Sequence, residues 1–350
     1  MDSVDLEVLR SAAAWRREGH QVTLATVVET WGSAPRPVGA MLAIRGDGKV
    51  SGSVSGGCVE DDMIEKMTGA AVPTAPQLLT YGVTREQAER FGLPCGGRLA
   101  IVVEPVADPA LDPASLEGIE QLIAASDRRE LTLRTLDMHS GRATLAPGSR
   151  DAVVRFDGKT LQTVHGPLWR LLLIGAGQLS RYLAEMARTL DYRVTVCDPR
   201  EEYVFGWDVP GVDLVRTMPD DTVVAMELDS RCAVVALTHD PKLDDLALME
   251  ALKSPAFYVG ALGSRANNER RRERLTGFDL SEAEIARLFG PVGLPIGSKT
   301  PPEIAVSILA EMTAVRRGLI HAGQAERTLG ARPAATSEAL SAPGLARGTV

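Results

Sequence analysis

One segment of the 350-residue chain constrains the fold most strongly, the apolar run WRLLLIGAG at residues 169–177, which passes directly into a helical pattern. A near-continuous apolar strand is typical of a parallel sheet with both faces covered. Helix 178–190 and the strand YRVTVCD complete a βαβ unit, and CAVVALTHD and AFYVGALG predict two further buried strands. We therefore predict an α/β fold with a Rossmann-like, doubly wound parallel sheet at residues 167–327.

The turn after the first of these strands has the pattern of a dinucleotide-binding loop. Gly175 permits the tight turn, and Gly177 lets the backbone approach a pyrophosphate at the helix amino terminus. Asp198 ends the second strand about 20 residues later, where an acid accepts hydrogen bonds from a ribose. Ser180 replaces the third glycine, and we expect it to loosen helix–strand packing without blocking a phosphate. The pattern predicts nucleotide or pterin-phosphate binding; the alternative is a Rossmann-like scaffold that binds no nucleotide.

Two polar residues follow a later strand of the same predicted sheet. His239 and Asp240 come directly after CAVVALT, at the carboxyl end of the strand, where open α/β sheets bind their ligands. His239 is therefore a candidate binding residue. For Asp240 the alternative is a helix N-cap.

The amino-terminal part predicts a separate α+β domain at residues 1–166. A helix near residues 5–18 precedes a β-branched strand at residues 21–30, and MLAI and KVSGSV predict a hairpin around Asp-Gly. Further short strands are expected up to residue 165. The Ala-, Pro-, Gly- and Ser-rich residues 328–350 predict a disordered tail.

Two of the four cysteines lie in glycine-rich turns. Cys58 follows Gly56 and Gly57 just before a helical pattern, where free N–H groups lower a thiol's pKa and favour a nucleophilic or metal-binding thiolate. Successive glycines also allow an anion-binding backbone. Cys95 lies in a second glycine-flanked turn, and for both cysteines the alternative is a buried structural thiol. Cys197 and Cys232 lie inside apolar strands and are expected to be buried.

Arginines occur in two places where they suggest a role, a glycine- and proline-rich loop and a basic stretch near residue 270. Arg36, in the loop GSAPRPVG, is a candidate phosphate clamp because a guanidinium matches phosphate oxygens in a bidentate way; the alternative is a solvated loop arginine. The basic stretch at residues 264–275 predicts the solvated face of a helix.

Composition excludes several classes of protein. With 38 basic and 46 acidic residues the net charge is −8, so we expect no nucleic-acid partner, because phosphate neutralisation needs a basic surface. No apolar run approaches the ~20 residues that cross a bilayer, and the first residues do not follow the pattern of a signal peptide. We expect a cytoplasmic protein with reduced thiols and no membrane partner.

Through these motifs the chain resembles the XdhC/CoxI family, accessory proteins that mature xanthine dehydrogenase and related molybdenum hydroxylases. The resemblance covers nearly the whole ordered chain. In the amino-terminal part it rests on GSAPRPVGAML, GSVSGGCVE and CGG, and in the carboxyl part on LLIGAGQLS, VCDPRE, LTHDPKLDD, YVGALGSR and GLPIGSKTPPEIAVSILAEM. Together and in this order the motifs are highly specific. Pro295 departs from the family pattern, which has an acidic residue there, so its loop is left out of the predicted site.

The resemblance implies a homodimer that binds molybdenum cofactor. Such a protein protects the cofactor while a cysteine desulfurase installs the terminal sulfido ligand, and then passes it to the apo-hydroxylase. Cys58 matches the family's GGC cysteine and would engage the molybdenum, a metal suited to soft thiolate ligands. Gly56, Gly57 or Arg36 would hold the cofactor's phosphate.

Two other functions stay open on the residues themselves. An NAD-dependent oxidoreductase would use Gly175, Gly177 and Asp198, with His239 as its acid or base; Asp198 disfavours a 2′-phosphate, so NAD is the expected nucleotide. A hydrolase built on Cys58 would need a histidine base, and the amino-terminal motif loops contain none. We expect a carrier rather than a catalyst and assign no catalytic residue.

Overall fold

The computed structural model describes residues 3–31, 36–57, 59–69, 72–82, 98–107, 112–128 and 130–321. Cys58 and Cys95 lie outside the described residues, and so does the tail predicted at residues 328–350. The described residues form three sheets.

The first sheet has five antiparallel strands in the order β3-β2-β1-β5-β4. Its strands are β1 Val22–Trp31, β2 Met41–Arg45, β3 Val50–Gly52, β4 Gln77–Tyr81 and β5 Arg98–Val106. The predicted hairpin is confirmed, with Ile44 opposite Val50. Gly48 has a φ of 93° in its turn, a conformation that favours glycine.

Three of the described helices cover this sheet: α1 Ser3–Arg17, α2 Glu60–Lys66 and α3 Pro113–Asp127. Leu9 of α1 and Leu122 of α3 share one core with Leu24, while Met63 of α2 lies in a second core with Ala25. Leu24 and Ala25 are neighbours on β1, so the two cores lie on opposite faces of the sheet.

The second sheet has four antiparallel strands in the order β7-β6-β9-β8. They are β6 Thr132–Asp137, β7 Ala143–Pro147, β8 Arg155–Phe156 and β9 Thr160–His165. Leu136 and Leu161 pack against Val102 of the first sheet. Arg134 donates to both carboxylate oxygens of Glu104, at 2.9 and 2.7 Å, which ties the two sheets together.

The third sheet has six parallel strands in the order β12-β11-β10-β13-β14-β15. They are β10 Trp169–Ile174, β11 Tyr192–Cys197, β12 Asp213–Val215, β13 Cys232–Ala236, β14 Tyr258–Ala261 and β15 Leu288–Phe289. Counted from β10, this is the strand order 3-2-1-4-5-6 of Rossmann folds, so the predicted fold class is confirmed. The predicted boundary at residue 166 falls between β9 and β10; that each side is an independent domain stays a prediction.

Helices cover both faces of this parallel sheet. They are α4 Gln178–Thr189, α5 Glu201–Val204, α6 Pro219–Ala225, α7 Pro241–Lys253, α8 Arg265–Leu275, α9 Glu282–Ala286 and α10 Pro301–Arg316. Leu171 packs with Leu183 of α4 and Ile308 of α10, whereas Leu172 packs with Leu248 of α7 on the other face. None of the described helices is both long enough and apolar enough to span a bilayer.

Cys197 and Cys232 are buried, as predicted, and burial raises the pKa of both thiols. The prediction of a solvated basic face on α8 is wrong for one residue. Arg271 is only 5% exposed and donates to Asp244 at 3.0 Å and to Asp245 at 3.1 Å. The two consecutive acids of α7 draw this arginine inwards.

Candidate functional site

The loop between β3 and α2 is the first part of the candidate site, and Cys58 belongs to it by sequence. Gly56 and Gly57 have φ values of 77° and 110°, in the left-handed region that favours glycine. Both glycines are exposed. A side chain at either position would strain this loop, which explains why two glycines occur here.

The carboxylate of Glu60, the first residue of α2, holds this loop in place through hydrogen bonds. One carboxylate oxygen, Oε1, accepts hydrogen bonds from Ser53 Oγ at 2.7 Å, Val54 N at 3.1 Å and Ser55 N at 2.9 Å. The side chain is only 8% exposed. The three residues that connect β3 to the glycines are therefore tied to a single buried charge.

The second carboxylate oxygen of Glu60 holds the residues on both sides of Cys58. Oε2 accepts from Gly57 N at 3.0 Å, from Val59 N at 3.2 Å and from the hydroxyl of Ser55. Burial alone would raise the pKa of Glu60, but hydrogen bonds from Ser55 and Ser53 lower it to about 2. The carboxylate is thus ionised at neutral pH and occupies a position that an external anion could otherwise take.

This arrangement bears on the predicted phosphate site. The amide of Gly57 donates to Glu60, and the amide of Gly56 donates to Ser53 Oγ at 2.9 Å, so both predicted donors already have partners. Arg36 lies beside the loop, and its Nε donates to Ser53 O at 3.2 Å. Arg36, Gly56 and Gly57 are therefore brought together, and the arginine is the cationic group that the loop offers to an anion.

The sequence interpretation missed the role of Glu60. Helix α2 has only seven residues, and Glu60, its first residue, turns back into the loop. Serines 53 and 55 before the glycines, with an acid after them, are the signal that could have revealed this contact.

The dinucleotide-type loop forms the second part, at the carboxyl edge of the parallel sheet. Gly175 has a φ of 107°, and a Cβ placed on it would come within 2.9 Å of Thr238 Cγ2. A Cβ on Gly177 would meet nothing within 4 Å, so the backbone there is open to close approach. The expected loosening at Ser180 is wrong, because this buried hydroxyl donates to Gly175 O at 2.5 Å and ties α4 to the loop.

Asp198 is fully buried behind this loop. Its Oδ2 accepts from Ala176 N at 2.8 Å and from Arg200 Nη2 at 2.8 Å, while Oδ1 accepts from Arg200 Nε at 2.9 Å. Burial opposes ionisation, but the hydrogen bonds from Arg200 and Ala176 lower the pKa of Asp198. The carboxylate predicted to bind a ribose is therefore engaged by the chain's own donors.

His239 is exposed and lies next to the dinucleotide-type loop, after β13. Its φ of 63° is uncommon for a residue other than glycine, and such conformations concentrate at functional sites. Asp244 holds the preceding residue in place, because its carboxylate accepts hydrogen bonds from Thr238 N at 3.1 Å and from Thr238 Oγ1 at 2.7 Å. Asp240 accepts from Lys242 N at 2.9 Å, so it is the helix N-cap.

The candidate residues therefore form two groups. Gly175, Gly177, Asp198 and His239 gather at the edge where β10 and β13 diverge, the switch point at which Rossmann folds bind ligands. Arg36, Gly56 and Gly57 form the other group, beside the five-stranded sheet. Within the described ranges, no three His, Cys, Asp or Glu side chains converge as a metal site.

Comparison with known proteins matches both parts of the chain. The sequence model of the XdhC and CoxI family matches residues 15–82, and that of the XdhC Rossmann domain matches residues 171–312. The crystal structure of a xanthine dehydrogenase from Bacillus halodurans is similar with a TM-score of 0.64, covering 91% of this chain and 96% of that one. At 22% identity, this likeness supports the fold.

Three curated proteins are similar in sequence. The molybdenum cofactor insertion chaperone PaoD of Escherichia coli is 28% identical, over 88% of each chain. A protein of Bacillus subtilis described as a probable xanthine dehydrogenase subunit is 27% identical, over 85% of this chain and 94% of that protein. The uncharacterized protein YqeB of Escherichia coli is 26% identical over 89% of this chain, which spans only 46% of YqeB.

Proposed function

We propose, since the chain belongs to the XdhC and CoxI family, that it is a molybdenum cofactor insertion chaperone for a xanthine dehydrogenase-type hydroxylase. It binds the cofactor, protects it while a cysteine desulfurase adds the sulfido ligand, and delivers it to the apo-enzyme. We further propose that it acts as a homodimer in the cytoplasm. The names of two relatives, one an insertion chaperone and the other part of a xanthine dehydrogenase, support the client class.

The observation that carries this proposal is the loop anchored by Glu60. Gly57 and Val59, the two neighbours of Cys58, both donate to one buried carboxylate, so the backbone that carries the cysteine is held from both sides. We assign Cys58 as the ligand of molybdenum, because a thiolate is a soft ligand. Arg36 would hold the cofactor's phosphate, and Cys95 would supply the second thiol.

Replacing Cys58 with alanine is expected to reduce uptake of the cofactor at least tenfold. Wild-type protein incubated with isolated molybdenum cofactor should retain about one molybdenum per chain after gel filtration, measured by metal analysis. The matched control is Cys197→Ser, which also removes one thiol. Its hydroxyl can keep the contacts of the sulfur with Thr217 O at 3.3 Å and Thr222 Oγ1 at 3.2 Å.

Two outcomes separate the parts of this proposal. Equal retention by wild type and Cys58→Ala would remove the role of Cys58 and leave the carrier function intact. No retention by the wild type, and no activation of an apo-hydroxylase, would contradict the carrier function itself.

A second candidate function is an NAD-dependent oxidoreductase. The sheet order, the open backbone at Gly177 and the exposed His239 at the switch point favour it. Against it, Asp198 already binds Ala176 N and Arg200, so a ribose would have to displace internal hydrogen bonds. We therefore rank it below the carrier function.

A titration with NADH, followed through its fluorescence, distinguishes the two functions. We expect weak binding and no oxidation of NADH, because the carboxylate of Asp198 is engaged. The control is Gly175→Ala, whose new Cβ would crowd Thr238 at 2.9 Å and should abolish any binding that occurs at this loop. Tight binding with turnover in the wild type, lost in this variant, would favour the oxidoreductase.

A further inference from the structure

A cavity of about 510 Å³ lies where the three sheets meet. Its walls come from residues 37–41 before and at the start of β2, residues 152–154 just before β8, residues 163–165 of β9, and the amino edge of the parallel sheet around Trp169. That edge is opposite to the carboxyl edge that carries Gly175 and His239. The cavity is therefore separate from the dinucleotide-type loop.

Three arginines, Arg231, Arg316 and Arg317, line the side of this cavity that belongs to the Rossmann half. Among the residues that the structure describes, none of their guanidinium groups forms an ion pair with a carboxylate. Two carboxylates, Asp5 and Asp191, also line the cavity, and Asp5 accepts a hydrogen bond from Met41 N at 3.1 Å. Within the described part of the chain, these arginines are thus positive groups without a carboxylate partner.

Two of these arginines lie against the indole of Trp169. The guanidinium carbon of Arg231 lies 5.5 Å from the centre of the indole ring, and that of Arg316 lies 5.0 Å from it. Phe257 packs edge-on against the same ring at 5.2 Å and fixes its orientation. Two like charges on one aromatic ring repel each other, and an anion between them would remove that cost.

The rest of the lining suits an organic molecule rather than a bare ion. Val38, Val153 and Leu190 contribute apolar surface, and each is more than a third exposed, so the cavity opens to solvent. Deeper in, His165 is buried, and its Nε2 lies 2.7 Å from Thr163 Oγ1. Burial lowers the pKa of His165 to about 3, so the ring is neutral and the arginines alone supply positive charge.

We infer that this cavity binds a small organic anion, with its phosphate or carboxylate group between Arg231 and Arg316 and its carbon skeleton against the valines. Arginine matches the planar pair of oxygens in both kinds of group. The volume lies within the range of sites for small molecules and cofactors. The inference does not rest on the proposed carrier function, since it uses neither Cys58 nor its loop.

Trp169 provides a direct readout, because it is the ring on which the two arginines lie. Phenyl phosphate and benzoate are titrated separately into the full-length protein, and quenching of tryptophan fluorescence is followed. We expect saturable quenching by at least one probe, and the stronger probe identifies the preferred anionic group. Trp169→Phe should abolish the signal, which distinguishes it from the other three tryptophans.

The double variant Arg231→Gln/Arg316→Gln is expected to raise the dissociation constant at least tenfold, since it removes two charge-assisted contacts. Arg142→Gln, an exposed arginine that does not line the cavity, is the matched control and should bind as the wild type does. If the double variant fails to fold, as judged by circular dichroism, Arg317→Gln replaces it. That variant changes only an exposed residue and should still weaken binding severalfold.

Three results would overturn the inference. The first is the absence of saturable quenching by either probe in the wild type. The second is equal affinity in the wild type and a folded cavity variant, and the third is an equal loss in Arg142→Gln, which would indicate general charge attraction.

Discussion

Replacing Arg271 with alanine is expected to lower the free energy of unfolding by about 3–5 kcal/mol. Arg271 is 5% exposed and donates to Asp244, Asp245 and the carbonyl of Leu262. Asp244 is 0% exposed, so the variant leaves a buried carboxylate without its cationic partner. Removing one member of a buried ion pair costs far more than the net contribution of the pair.

Urea unfolding of the wild type and the variant measures this loss through the shift of the midpoint. The matched control is Arg270→Ala, one residue earlier on the same helix, whose exposed guanidinium donates to Asn267 Oδ1 at 2.6 Å. A surface change of that kind should stay within about 0.5 kcal/mol of the wild type. Equal losses in both variants would show that removing any arginine of this helix, and not the buried pair in particular, causes the effect.

The same substitution should also disturb the edge of the parallel sheet. Asp244 accepts from both the amide and the hydroxyl of Thr238, the residue before the left-handed His239. With Arg271 absent, the charged form of Asp244 loses stabilisation, because burial already raises the pKa of this carboxyl. Hydrogen exchange at the amide of Thr238 should therefore accelerate in Arg271→Ala and stay unchanged in Arg270→Ala.

The Rossmann half could be predicted from sequence because the patterns that determine its strands and helices lie within short segments of the chain. Strand segments such as LLLI and CAVVA are apolar throughout, and each strand is followed by a helical pattern, which together determine a parallel, doubly wound sheet. The glycines follow from the same local pattern, Gly175 because the turn after β10 must be tight and Gly177 because the backbone there must stay open to a ligand. The burial of Cys197 and Cys232 follows from their places inside two of these strands.

The contacts between distant side chains could not be predicted in this way. Periodicity places Arg271 on a basic helix but does not indicate that two acids of α7 lie opposite it. The dinucleotide-binding pattern likewise assigns Asp198 to a ribose but does not indicate that Arg200 and Ala176 N already bind this carboxylate. The short strands at residues 132–165 were expected, but their pairing as a separate sheet depends on Leu136 and Leu161 packing on Val102.

Glu60 is the clearest example of this limit, and it leads to the second large effect. Replacing Glu60 with glutamine is expected to lower the free energy of unfolding by about 3 kcal/mol near neutral pH. The size follows from a pKa lowered from 4.5 to about 2, at 1.36 kcal/mol per unit. The amide of glutamine would also turn a donor towards Gly57 N and Val59 N, which are donors themselves.

The sign of the pH dependence follows from the same lowered pKa. Because the folded-state pKa of Glu60 lies below its unfolded value, its stabilising contribution is complete above about pH 4.5 and is lost as the pH falls towards 2. Urea unfolding measured across this window should show the wild type losing stability faster than Glu60→Gln, so that the two curves converge. The matched control, Glu65→Gln, changes an exposed acid of the same helix and should run parallel to the wild type.

Retention of molybdenum by the Glu60 variant connects this stability effect to the proposed function. If the carboxylate holds the backbone on both sides of Cys58 in position for a metal, folded Glu60→Gln should retain several-fold less cofactor than wild type and Glu65→Gln. Retention is measured at pH 7 and at a temperature where circular dichroism shows all three proteins folded. A lower retention then results from a change in the loop and not from unfolding. Full retention by a folded Glu60→Gln, together with loss in Cys58→Ala, would show that the cysteine binds without the anchor. Lost retention in both variants would show that the buried carboxylate and the thiol act as one unit, because the anchor then sets the position of the sulfur.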